Sequence, residues 1–100
     1  MSFTLRRSQQ AIDDLADIWA YIAADNEAAA DKLLRELLEL FDKTADFPAL
    51  GRMASEVGDD IRILPRGRYL LIYRVEEASE TVELIRVVHG ARDWARLFEA

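Results

Sequence analysis

The sequence holds one histidine, His89, and no cysteine. Proton-transfer chemistry would therefore turn on a single imidazole, helped by tyrosines and by a set of arginines. All eight basic residues after position 50 are arginines: Arg52, Arg62, Arg66, Arg68, Arg74, Arg86, Arg92 and Arg96. A guanidinium grips carboxylates and phosphates through a planar fork and stays charged. The chemistry such a set suggests is metal-free cleavage of RNA. That reaction needs a base for the 2′-hydroxyl proton, cations for the phosphorane and an acid for the leaving oxygen. His89 with Arg68, Arg74, Arg86 and a tyrosine would supply it. Strand alternation separates them, however. Val82, Leu84, Arg86 and Val88 share one face of an extended segment, and Glu83, Ile85, Val87 and His89 the other. Arg86 and His89 converge only if the strand twists or ends at Gly90. The plainer roles are structural: His89 bonding backbone at a strand end, Arg74 and Arg86 pairing with acids, Tyr69 and Tyr73 packing in a sheet. Trp19 reads as core, and Trp94, on an exposed tail, as an interface aromatic. No catalytic residue is assigned.

Other chemistries lack their residues. A lone histidine without cysteine makes a zinc site untenable, so no metal and no cofactor is expected. There is no phosphate-binding glycine loop. Ser55 and Ser79 lack the strand-turn-helix context of an activated nucleophile. Thirteen basic against 19 acidic residues give a net charge of −6 and a pI near 4.7. That balance disfavours broad nucleic-acid binding, which depends on releasing counterions from phosphates. No apolar run is long enough to span a membrane. Without cysteines or a signal-peptide pattern, a cytoplasmic location is expected. At 100 residues, 51% hydrophobic and 32% charged, the chain reads as a single folded domain over residues 1–100.

The elements that must position these groups follow from periodicity. Residues 3–7 read as a strand, and Ser8 as the N-cap of a helix starting near Gln9. Ala11, Ile12, Leu15, Ile18, Trp19 and Ile22 fall on one apolar arc, with Asp13, Asp14 and Asp17 opposite. Asp25 and Asn26 cap a second helix over residues 27–45, striped by Ala30, Leu34, Leu37, Leu38, Phe41 and Ala45. Leu33 and Leu40 widen that stripe. Either the extra flank meets the first helix and a sheet, or part of it is left for a partner. The short link makes the helices an antiparallel hairpin. After Phe47-Pro48 the period changes. Strands are predicted over 61–64, 69–75 and 81–88, with turns at 65–68 and 77–80 and one or two helical turns over 93–98. The fold class is α+β: β-α-α-β-β-β, an antiparallel core sheet with the helical hairpin packed on one face. The acids concentrate in the helices: residues 1–50 carry five basic and ten acidic side chains, residues 51–100 eight and nine.

Four segments, in order, resemble the ParE-type toxins of the RelE/ParE superfamily of bacterial toxin–antitoxin modules. They are residues 11–23 (AIDDLADIWAYIA), 48–52 (PALGR), 68–75 (RYLLIYRV) and 83–93 (ELIRVVHGARD). They are similar to the family's DL-x-x-IW-x-YIA, P-x-x-GR, Y-x-I-x-YR and I-x-RV-x-HG-x-RD patterns. The resemblance implies the fold just derived. It implies a toxin that poisons DNA gyrase by stabilising the broken-DNA complex. Its ParD-like antitoxin would fold a C-terminal segment over it. The RelE branch instead cleaves mRNA in the ribosome and has a high pI. This chain has two lysines, Lys32 and Lys43, and an acidic balance. The expected function is therefore gyrase inhibition by binding. A RelE-like mRNA endoribonuclease and a non-toxic relative that keeps only antitoxin binding are the alternatives. The expected partner- and target-binding surface comprises Arg68, Arg74, Arg86, His89, Arg92 and Trp94, with Leu33 and Leu40 on the helix flank.

Overall fold

The computed structural model describes residues 2–90 and 94–98. Strand β1 (Thr4–Arg7) leads through Ser8 into helix α1 (Gln9–Ala23). The Ser8 hydroxyl accepts from the Ala11 N–H at 3.0 Å, the predicted cap, and donates to the Ile85 carbonyl at 2.7 Å. Asn26 accepts from the Ala29 N–H at 3.0 Å and opens helix α2 (Glu27–Asp42). The two helices form the predicted hairpin. Where the sequence predicted helix to residue 45, the last turn tightens into a 3₁₀ turn, Lys43–Ala45. There the buried Thr44 hydroxyl donates to the Phe41 carbonyl at 2.6 Å.

The sheet has five strands in the order β1-β5-β4-β3-β2. Strands β3 (Ile61–Arg66), β4 (Tyr69–Glu76) and β5 (Thr81–His89) form the predicted antiparallel meander. Strand β1 joins β5 in parallel, from Thr4 opposite Thr81 to Arg7 opposite Leu84, so the complete sheet is mixed. The other edge is the two-residue β2 (Arg52–Met53), paired with β3. Pro65 lies inside β3 rather than in the turn. It sits beyond the reach of β2, where its missing N–H costs no ladder bond.

The helices cover one face. Ala11, Leu15, Leu37 and Phe41 pack on Leu71, Tyr73, Val82, Leu84 and Val87. Each fully buried large side chain contributes roughly 1.5–3 kcal/mol. The other face carries Ala54, Ile61, Ile63, Ile72 and Val88. It is partly covered by Val57 and by the 3₁₀ turn Trp94–Phe98. Trp94 is therefore half-buried, edge-on to Phe98 with centroids 6.5 Å apart, and not on an exposed tail. Trp19 is half-buried rather than core, and its indole N–H donates to Asp31 at 2.8 Å. Among the described residues, no helix is long and apolar enough to cross a membrane.

One irregularity re-aims β5. Ile72 pairs with Arg86, but Tyr73 pairs with Leu84, so Ile85 is an extra residue. This bulge breaks the simple alternation expected from sequence. Val82 and Leu84 face the helices, and so does Val87, while Val88 turns to the second cluster.

Candidate functional site

Gly67 takes a left-handed φ of 57°, a conformation open to glycine, as the first of two residues joining β3 to β4. Arg68 follows at the tip. The Gly90 N–H donates to the Arg68 carbonyl at 2.6 Å, and Tyr69 stands opposite His89 in the ladder. These bonds bring Arg68, Tyr69 and His89 together at one end of the sheet. The Tyr69 and His89 rings meet edge to face, centroids 5.6 Å apart at 75°. Helix α1 supplies the facing wall through Asp14, Asp17, Ile18 and Tyr21, spaced for one helical face. Together they line an open cleft of about 450 Å³.

Asp14 organises the cleft's inner side. Its carboxylate accepts from Arg86 Nε at 2.8 Å, Arg86 Nη2 at 3.0 Å and the Val87 N–H at 2.9 Å. The pair is well covered, with Arg86 18% and Asp14 15% exposed at the side chain. The hydrogen bonds that Arg86 donates to Asp14 raise the Arg86 pKa further, against the opposing effect of burial. The sequence placed Asp14 on the solvent side of α1. The structure corrects this, because β1 stops opposite Leu84 and leaves the edge of β5 open. Ser8 and Asp14 satisfy that edge in place of a strand, at the Ile85 carbonyl and the Val87 N–H.

The arginines are therefore distributed. Arg86 is committed to Asp14. Arg74 lies towards the opposite end of β4, bonded to Asp60 at 2.9 Å and 3.9 Å from Glu83, which also approaches Arg6 at 3.9 Å. Arg52 and Arg66 pair with Glu56 and Glu36. The bond from Arg66 holds the Glu36 carboxyl below its usual range. Arg62 donates to the Gly51 carbonyl at 2.7 Å. Arg68 makes no ion pair among the described residues and presents its charge to the cleft. Of the sequence candidates, the structure brings Arg68, His89 and, through Asp14, Arg86 to one place. Arg74 and Trp94 lie elsewhere, and Arg92 falls outside the described residues. Sequence reasoning missed Asp17 and Tyr21 as the cleft's second wall. Their spacing of four on α1 was the available signal. Among the described residues, no three His, Cys, Asp or Glu side chains gather as a metal-binding group.

A second feature lies on the helical hairpin. Ile12, Leu15, Ala16 and Trp19 of α1 and Leu34 and Leu38 of α2 line an apolar groove of about 380 Å³, with Arg7 at its rim. Ile12 is 45% exposed, so the apolar arc of α1 is wider than the core uses. Leu33 and Leu40 are half-buried against the main cluster, and Leu40 also borders a small polar notch with Glu36, Lys43 and Arg66. Leu34 and Leu38 are half-buried on the same cluster, and they, not Leu33 and Leu40, line the groove.

Chemically, the cleft offers a guanidinium, an imidazole and a phenol on the sheet side, and carboxylates with a second phenol on the helix side. It suits recognition of a polar partner surface. The groove suits the apolar side of an amphipathic segment.

Comparison with known proteins agrees with the fold and the motifs. The family described as "ParE toxin of type II toxin-antitoxin system, parDE" matches residues 5–94. Toxin ParE1 of Mycobacterium tuberculosis is 36% identical over 64 residues, 64% of each chain. The chain therefore spans just under two thirds of that relative's length. Among solved structures, the fold is similar to that in the RelBE2 toxin–antitoxin complex from M. tuberculosis. There the TM-score is 0.70 and the identity 23%, over 89% of this chain and 99% of that one. It is also similar to the fold in the chromosomal ParDE system of P. aeruginosa. That match has TM-score 0.71 and 18% identity, over 88% and 96%.

Proposed function

Because the chain belongs to the ParE toxin family of type II toxin–antitoxin systems, we propose that it is the toxin of such a pair. We further propose that it arrests growth by binding DNA gyrase and trapping the cleaved-DNA complex. The observation that carries the reading is the family match across residues 5–94. The state of Arg86 supports binding over catalysis, since its guanidinium is occupied by Asp14 and is not presented to a phosphate. The Arg68–His89 cleft is the target-facing surface in this account. A ParD-like antitoxin lays an amphipathic segment in the groove between Ile12, Trp19, Leu34 and Leu38, ordering as it binds. Regulated expression tests the proposal. Arrest with chromosome breaks, reversed by the co-expressed antitoxin, is expected. Arrest with intact chromosomes, or no arrest at all, refutes it.

One observation favours the ribonuclease alternative: Arg68, Tyr69 and His89 do share a cleft. On that reading His89→Ala abolishes both toxicity and transcript cleavage.

A further inference from the structure

The connector between α2 and β2, together with β2 itself, exposes three large apolar side chains within seven residues. Phe47 is 67% exposed, Leu50 44% and Met53 47%. Such exposure in a loose loop would carry little meaning, but this turn is fixed from beneath. The Leu50 N–H donates to the Phe47 carbonyl at 3.0 Å. The buried Tyr73 hydroxyl donates to the Pro48 carbonyl at 2.8 Å and accepts from the Gly51 N–H at 2.7 Å. Arg62 holds the Gly51 carbonyl, and Met53 is the ladder partner of Arg62. Gly51 is packed so closely that a Cβ would fall 2.6 Å from the Ile63 carbonyl and 2.8 Å from the Tyr73 hydroxyl. The three apolar groups are thus presented on a rigid base, which lowers the ordering cost of binding.

The charge beside them selects the partner. Pro48 and Ala49 of the same turn border a cleft of about 220 Å³ with Arg62, Asp59, Asp60 and Glu77. Arg62 is spent on Gly51 and Asp60 on Arg74. Asp59 and Glu77 carry no ion pair among the described residues. We infer that residues 47–51 with Met53 form a docking surface for a basic polypeptide segment that carries an apolar anchor. Phe47 and Leu50 take the anchor, and Asp59 and Glu77 take the adjacent Lys or Arg. This surface is separate from the Arg68–His89 cleft and from the hairpin groove, and it does not depend on gyrase being the target.

Fluorescence anisotropy with a labelled WKKWK peptide tests it, with WEEWE as the charge-reversed control. The expected result is saturable binding of WKKWK that weakens with salt, and none of WEEWE. Phe47→Ser, at a largely exposed position, weakens binding about tenfold. Asp59→Asn with Glu77→Gln weakens it and flattens the salt dependence. Circular dichroism checks that each variant is folded. The inference is overturned if WKKWK fails to bind, if WEEWE binds equally, or if both variants leave binding unmoved. It is overturned equally if sedimentation finds a dimer that Phe47→Ser dissolves, since a second copy would then be the occupant.

Discussion

Replacing Asp14 by alanine removes the acceptor of three hydrogen bonds, at 2.8, 3.0 and 2.9 Å. The guanidinium of Arg86 and the N–H of Val87 are left without it. Breaking a buried ion pair from one side costs about 3–5 kcal/mol. These side chains keep 18% and 15% exposure, and water reaching Arg86 offsets part of the loss, so the lower end applies, about 3 kcal/mol. In a domain of this size that lowers Tm by about 12–24 °C and removes a large share of a total near 5–10 kcal/mol. Asp14→Asn keeps one acceptor oxygen and costs about half as much. Arg86→Met in the Asp14→Ala background removes the stranded charge. The double variant is therefore about 2 kcal/mol more stable than the sum of the single losses predicts. Thermal and urea unfolding of the four proteins measures this cycle. A fall of less than about 4 °C for Asp14→Ala, or a coupling near zero, refutes the assignment of Asp14 as the clamp between α1 and the edge of β5.

Tyr73→Phe deletes the hydroxyl that bridges Pro48 and Gly51 and should cost about 1–3 kcal/mol in urea unfolding. Burial raises the Tyr73 pKa, partly opposed by the Gly51 bond. The unfolded chain thus releases this proton first as pH rises past about 10. The stabilisation is present below that pH and is lost above it, up through the raised folded value. Tyr73→Phe should remove that part of the alkaline loss. Gly51→Ala would place its Cβ 2.6 Å from the Ile63 carbonyl, and the backbone shift required should lower stability by at least about 2 kcal/mol in the same assay. Ile12→Glu puts a charge in the hairpin groove at a 45% exposed position. It should weaken antitoxin binding by tenfold or more in calorimetry while leaving Tm within a few degrees.

Both helices were legible because their caps and stripes are local. Ser8 and Asn26 cap where the sequence placed them, and Leu37 and Phe41 are buried as the periodicity required. The meander followed from Gly67 and from the apolar runs of β4 and β5. Long-range geometry was not legible. The parallel pairing of β1 with β5 joins residues far apart in sequence, and β2 is too short to leave a pattern. The bulge at Ile85 interrupts the expected side-chain alternation, so that Leu84 and Val87 face the helices together. Asp14 looked solvated because its acidic neighbours are. Only the unpaired edge of β5, which no local pattern announces, gives it a partner. The same limit hid the cleft, since its walls come from α1 and the far end of the sheet.

The proposed mode of action, binding gyrase and not cutting RNA, can be tested in a single experiment. The most direct measurement combines the purified chain, gyrase, ATP and relaxed plasmid, with a parallel translation extract carrying a labelled transcript. Loss of supercoiling with accumulation of cleaved plasmid, beside an intact transcript, is expected of a toxin that binds gyrase. Normal supercoiling beside a cleaved transcript would contradict it.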